Sequence, residues 1–335
     1  MLNLALRRLA MAVPTLLCIS LVIFLLLEAA PGDPLGEMPL TVPPEVKERM
    51  RAALGVGEPW PLRYLLFLKQ FFWVEPLHWL DRLLGTDFGA GQQRLISYQS
   101  RAPVFDVIAE RLPQTLAVVG LSYLLGVLVA LPVAILSARH PQGWFDRIAG
   151  SLAMLGYSLP TFLTGLVLIW VLAIWLKWLP SVYDTTLRVT DWASLLRQLR
   201  QMAMPVAVLT LYNAAQISRY LRAAMLDNLR QDHVRTARAK GLGEGAVLCR
   251  HVLRNSLSSM VTVIALGLPT VFGGAIITEQ LFKVNGLGQL LILAINAHDL
   301  PMVMALTFVF ALLIVLCTLL ADLLYGMLDP RIRHG

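Results

Sequence analysis

Three cations and a run of small residues stand together in Arg235-Thr236-Ala237-Arg238-Ala239-Lys240-Gly241, with Leu242 and Glu244 close behind. The chemistry open to such a stretch is contact. Thr236, Ala237, Ala239 and Gly241 would let a helix lie close in a partner's groove, while Arg235, Arg238 and Lys240 would pair with acids on its rim. Bond-making chemistry finds no support elsewhere. A phosphate-cradling loop needs Gly-Lys followed by Ser or Thr, and none of the five lysines follows a glycine. His78, His140, His233, His251, His298 and His334 never stand four apart around a Glu, so no zinc-protease helix is expected. No Gly-x-Ser-x-Gly elbow occurs either. The expectation is a chain with no catalytic, cofactor or metal residues of its own. Glu28 and Asp322 sit near the ends of apolar runs, where a carboxylate caps or snorkels, so no buried charge relay supplies energy from within.

The scaffold that must position the contact stretch is legible from composition. Of 335 residues, 57% are hydrophobic and 15% charged, with mean hydropathy +0.67, too apolar for a soluble domain of this size. Crossing a hydrocarbon core takes roughly 20 mostly apolar residues. Mostly apolar runs of that order cover 9–30, 114–138, 148–176, 202–218, 260–278 and 302–324. The first is longer than a signal-peptide core and is followed by a poor cleavage site, so it reads as a retained span.

Net charge is +7, but its distribution speaks for a membrane and not for nucleic acid. Arg7, Arg8, Arg139, Arg147, the cations from Arg219 to Arg254, and Arg331 and Arg333 all fall on one side if both termini are cytoplasmic. The long segment after the first run then lies outside. Its Trp60, Tyr64, Phe67, Phe71, Phe72 and Trp73 recur at helical spacing, which predicts a small folded cap whose aromatics rest on the outer membrane surface. On the inner side, 227–240 is free of Gly and Pro and reads as a helix stopped by Gly241; a second helix starts at Gly245, with Glu244 at its positive end. Cys18, Cys249 and Cys317 imply no disulfide framework.

In that setting Asp232-His233-Val234-Arg235-Thr236-Ala237-Arg238-Ala239-Lys240-Gly241-Leu242 resembles the cytoplasmic coupling loop, or EAA motif, of the membrane subunits of ABC importers for dipeptides, oligopeptides and nickel complexes. Ala237 and Gly241 match the motif, and Arg235 and Thr236 replace its leading Glu-Ala. Several shorter stretches follow in the family's order: Pro31-Gly32-Asp33-Pro34, Arg111-Leu112-Pro113-Gln114-Thr115-Leu116, Ser158-Leu159-Pro160-Thr161-Phe162, Glu279-Gln280-Leu281-Phe282 with Gly286-Leu287-Gly288, Asp299-Leu300-Pro301, and Leu328-Asp329-Pro330-Arg331-Ile332-Arg333.

The resemblance implies an all-α integral membrane protein of the type I ABC importer permease fold, with six transmembrane helices. The expected organisation is an N-terminal span in 1–30, an external insertion in 31–112 and a five-helix core in 113–335 that carries the coupling loop 219–257. Coupling is expected to rest on Arg235, Thr236, Ala237, Arg238, Lys240, Gly241, Leu242 and Glu244, and Ser158, Pro160 and Glu279 are candidates for the solute path or gate. Implied partners are a second homologous permease, two ABC ATPase subunits binding ATP and Mg, an external solute-binding protein and the lipid bilayer of a bacterial inner membrane. A secondary carrier, or a membrane-embedded enzyme or channel, is the alternative.

Overall fold

A bilayer offers the backbone no water to bond with, so a chain this apolar must satisfy its peptide groups within helices or a closed barrel. The structure, a computed structural model, describes residues 2–29, 45, 48 and 57–328, and among these the regular backbone is helical. Pro31-Gly32-Asp33-Pro34 and 329–333 lie outside the described residues.

Helix α1 spans Leu2–Glu28; α2 spans Trp60–Lys69 and runs through one π-helical stretch, Gln70–Val74, into α3, Glu75–Leu84. Then come α4 (Val104–Arg139), α5 (Trp144–Ser158) and α6 (Thr161–Leu168), the last continued by π turns to Trp175. Next are α7 (Trp192–Leu229), α8 (Asp232–Ala239) and the single turn α9 (Glu244–Ala246), which passes through Val247–Leu253 into α10 (Arg254–Phe282). Finally α11 covers Leu287–Asn296 and α12 Leu300–Leu328.

All six apolar runs fall on these helices, with one correction. The run 148–176 is not a single straight span: α5 and α6 are bent by 107° at Leu159–Pro160. Proline denies the α conformation to the residue before it, and Leu159 is accordingly extended, at φ −79 and ψ 129. By length and apolarity alone Val104–Arg139 and Leu300–Leu323 suffice to cross a membrane, and the bent pair makes a third if taken as one span. The expected inner helix also begins later than 227, because α7 ends at Leu229 and α8 starts at Asp232.

Contacts divide the chain into two units, each held by its own core. One comprises Val13–Pro113 and Leu290–Leu312. Its centre is aromatic: the Phe67 and Phe71 rings lie 4.3 Å apart, Phe71 meets Phe308 at 4.8 Å, and Phe24 lies 6.0 Å from Phe67. Such pairs contribute roughly 0.5–1.5 kcal/mol each beyond the area they bury. The aromatic series of the cap therefore divides: Phe67 and Phe71 are core, while Trp60, Phe72 and Trp73 remain exposed. Arg94 ties this unit's loops by donating to Glu75 at 2.7 Å and Asp106 at 2.8 Å. The buried Asp299 carboxylate starts α12: it accepts from Ser97 Oγ at 2.5 Å, from the Gln99 amide at 3.2 Å and from the Met302 amide at 3.3 Å.

The other unit comprises Met1–Ala12, Gln114–Gln289 and Leu313–Gly335. Here α7 is started by Asp191, whose Oδ1 accepts the Ser194 amide at 2.9 Å while Ser194 Oγ accepts the Asp191 amide at 3.0 Å. The α4 and α7 backbones meet closely at Gly126, where a Cβ would stand 2.8 Å from that of Asn213. Arg222 on α7 holds Asp146 in the first turn of α5 through two bonds, of 2.5 and 2.6 Å.

Asp299→Ala strips Ser97, Gln99 and Met302 of a shared buried acceptor. A loss of about 1–3 kcal/mol is expected, read as a lowered thermal unfolding midpoint in detergent. Asp87→Ala, at an exposed carboxylate, should leave the midpoint in place.

Candidate functional site

The contact stretch is a short helix ended by a glycine, as its residue types require. Gly241 stands at φ +80, in the left-handed region, and two bonds close the helix there: the Gly241 amide to the Arg238 carbonyl at 2.9 Å and the Leu242 amide to the Ala237 carbonyl at 3.3 Å. This is the Schellman arrangement, in which a residue without a Cβ turns the chain while the orphan carbonyls keep donors. Thr236 Oγ1 donates back to the Asp232 carbonyl at 3.0 Å.

The structure brings the candidate coupling residues together but divides their roles. Ala237 and Val234 are buried, packed toward the 247–253 turns whose Val247 and Val252 are also buried. The small side chain of Ala237 thus closes the loop on itself. Thr236, Lys240, Gly241 and Leu242 remain exposed, as does Arg235, 76% of whose side chain is open to solvent. Arg238 does not point away unpaired. Its Nε and terminal nitrogen donate to the Glu244 carboxylate at 2.8 and 3.1 Å, joining α8 to the start of α9. His233 Nε2 and Asn255 Nδ2, 3.0 Å apart, make a second tie between α8 and α10.

The bonds from Arg238 hold the Glu244 carboxyl below its ordinary carboxylate value and raise the Arg238 guanidinium. Since the folded value is the depressed one, the pair is complete above the ordinary carboxylate range and is lost only as pH falls through that lower value. Both groups are solvent-screened, so the pair orients the loop more than it stabilises it.

Ser158 and Pro160 line one recess of about 440 Å³ beneath the helix break, with Tyr157, Leu209, Tyr212 and Ile277. Tyr157 and Tyr212 stack there, their ring centroids 5.7 Å apart.

Glu279 lies elsewhere, fully buried near the end of α10. Its carboxylate accepts from Thr115 Oγ1 at 2.8 Å, the Gly288 amide at 2.7 Å and the Gln289 amide at 3.2 Å, while the Leu287 amide donates to Thr115 Oγ1 at 2.7 Å. One carboxylate thereby caps α11 and binds it to α4 and α10. A Cβ on Gly288 would stand 2.5 Å from the Ile276 Cα, so this packing needs a glycine. Gln114, Tyr183, Gln198 and Gln201 form a further polar cluster that the sequence did not single out; Gln201 Nε2 donates to Gln198 Oε1 at 2.8 Å, and both Gln114 and Gln198 donate to the Tyr183 hydroxyl. Its signal was only the run of amides ahead of an apolar stretch.

With this geometry in view, residues 130–334 match the family described as binding-protein-dependent transport system inner membrane component, and residues 1–119 match that system's N-terminal membrane component. The chain belongs to this family. Among its relatives, the oligopeptide transport system permease protein AppB of Bacillus subtilis (strain 168) is 35% identical over 332 residues, 98% of either chain. A putative peptide permease protein of Brucella suis biovar 1 is 35% identical over 339 residues, 99% of either chain. Among solved structures, the inward-facing methionine ABC transporter MetNI gives a TM-score of 0.55 at 17% identity, covering 68% of this chain and 98% of that one. An amino acid ABC transporter gives 0.51 at 12% identity, covering 67% and 94%. At those identities the likeness speaks for the fold, that of type I ABC importer permeases. The protein is a membrane permease component of an ABC importer.

Gly288→Ala should cost about 1–3 kcal/mol by overpacking, visible as a lower unfolding midpoint, whereas Gly120→Ala, where an added Cβ meets nothing within 4 Å, should not. A carboxyl-carbon NMR titration should place Glu244 below the ordinary Glu value near 4.3, and Arg238→Gln should return it there.

Proposed function

We propose that this chain forms part of the path by which peptides, or similar small solutes, enter the cell, and that it draws on ATP hydrolysed by separate subunits. The observation that carries this reading is identity extending over 98% of the chain to a protein named as an oligopeptide permease. The complete assembly in this reading holds a second homologous permease, two ATPase subunits that bind ATP and Mg, and an external solute-binding protein.

Six spans are assigned to α1, α4, the bent pair α5 and α6, α7, α10 and α12. Both termini are cytoplasmic, 31–112 forms the external cap, and the core with its coupling loop follows from 113. The one-sided distribution of arginine supports that orientation. Energy enters through α8. Exposed Arg235, Lys240 and Leu242 meet the ATPase, while the Arg238–Glu244 pair ties α8 to α9, buried Ala237 packs α8 on 247–253 and His233 reaches Asn255 of α10, so that a push on the loop moves a spanning helix as one body. Ser158 and Pro160 contribute a wall of the path at the helix break. Glu279 holds the α4–α10–α11 junction that a gate would turn on.

Two substitutions at Gly241 separate this from a decorative loop. Asparagine tolerates a left-handed backbone, whereas valine in that conformation costs roughly 1–2 kcal/mol and would unwind the helix stop. In membranes carrying the whole importer, Gly241→Asn should retain most solute-stimulated ATP hydrolysis and uptake, and Gly241→Val should lose both several-fold. If a cysteine at Arg235 never cross-links to an ATP-hydrolysing subunit, the coupling assignment is wrong.

A further inference from the structure

The break between α5 and α6 leaves backbone groups that a continuous helix would have satisfied. No side chain caps α6 at Pro160, and the Leu163 and Thr164 amides turn back to the Pro160 carbonyl at 3.0 and 3.2 Å. The amides of Thr161 and Phe162 come ahead of these first bonds and are the orphans of the helix start. At membrane depth, backbone of this kind is tolerated where it is buried in protein or lines a cavity. Here it lines one: Thr161 and Phe162 belong to the wall of the recess of about 440 Å³ beneath the break, whose other walls come from α7 and α10. That volume lies within the roughly 300–1,000 Å³ of small-molecule pockets.

A second observation comes from α7. Asn213 lines the same recess, is 3% exposed, and among the described residues its Nδ2 has no hydrogen-bond partner. Polar neighbours on that helix are satisfied: Thr210 Oγ1 donates to the Ser122 carbonyl at 3.2 Å, and Ser218 Oγ donates to the Ala215 carbonyl at 3.2 Å. A buried amide left unpaired is costly to the fold. Gly126 of α4 closes on the Asn213 Cβ, and rotation of the carboxamide about χ2 then offers the recess either its N–H or its carbonyl. The recess is kept open at Gly273, where an added Cβ would meet nothing within 4 Å, and no described residue of its lining carries a formal charge. Arg219 lies over the Tyr157 ring, 5.5 Å from its centroid, but does not itself line the recess.

We propose that this recess is a subsite of the solute path that takes an uncharged peptide group. Asn213 pairs with the C=O and N–H of that group, the Thr161 and Phe162 amides serve an adjoining carbonyl, and the stacked Tyr157 and Tyr212 rings form a flat wall beside it. An ionised group would enter with no counter-charge to offset its desolvation, so the site reads the backbone of a solute and not its charged termini. The inference rests on the assignment of the helix break to the solute path.

The test measures kcat/KM for uptake by the whole importer, with its partner subunits, in proteoliposomes. The probes are tri-alanine and the analogue in which both peptide bonds are esters, which keeps the charge and nearly the size. Any preference of the solute-binding protein is common to all variants and cancels between them. The wild type should favour tri-alanine, and Asn213→Leu should shrink that preference roughly tenfold, the worth of one or two buried hydrogen bonds. Because leucine keeps the shape and removes an unpaired donor, its unfolding midpoint without solute should hold or rise, which a merely structural asparagine would not allow. Gly273→Leu, which fills the recess without touching Asn213, should slow uptake of both probes several-fold, and Leu211→Ala, on the exposed face of α7, should change nothing. Full preference in Asn213→Leu, a lowered midpoint in it, undiminished uptake by Gly273→Leu or an equal drop in Leu211→Ala overturns the proposal. Failure of the wild type to accumulate tri-alanine or any longer alanine peptide would instead overturn the peptide-path reading itself.

Discussion

Everything in this structure answers to the poverty of hydrogen-bond partners in a bilayer. Helices satisfy their own backbones, but wherever a helix stops, its amides and carbonyls need a partner carried by the chain itself. The protein meets this with carboxylates placed at breaks. Glu279 receives the amides that open α11, and Asp299 receives the one that opens α12. Each also takes a hydroxyl from a distant segment, Thr115 for Glu279 and Ser97 for Asp299, so capping and tertiary attachment are one act. A buried acceptor of this kind contributes little while satisfied and costs much when removed, which makes such residues intolerant of change.

The same economy explains the contact loop. A helix of eight residues is too short to hold itself in water. It persists because Val234 and Ala237 bury one face and because Gly241 closes its C-terminal end, while the Arg238–Glu244 pair orients the turn that follows. The outward face carries Arg235, which reaches only Asp232 of its own first turn, at 3.3 Å, and is otherwise open to solvent among the described residues. In the proposed function, a plug that keeps its shape without its socket would transmit displacement instead of absorbing it.

Much of this was legible in residue patterns. Periodic apolar runs imply spanning helices, a glycine after a basic Gly-free stretch implies a stop, and the ordered series of short motifs implies the family that the full-length relatives bear out. The failures were of two kinds. The run 148–176 contains Pro160, yet apolarity alone cannot show whether a proline kinks a span or breaks it by 107°. The cap aromatics share one helical spacing, and spacing alone cannot say that Phe71 faces Phe308 while Trp73 faces outward.

Sequence by itself determined the solvent of this protein, its helical class and the place of its contact loop, because these follow from local composition and from backbone preferences that act over a few residues. Tertiary structure alone decided that Arg238 serves Glu244, that Ala237 is internal packing, and that Glu279 is a buried joint. It alone brought Asn213 to the recess at the Leu159–Pro160 break. The reason is physical: a side chain's type states what it can bond to, but its partner is set by which distant helices pack against each other.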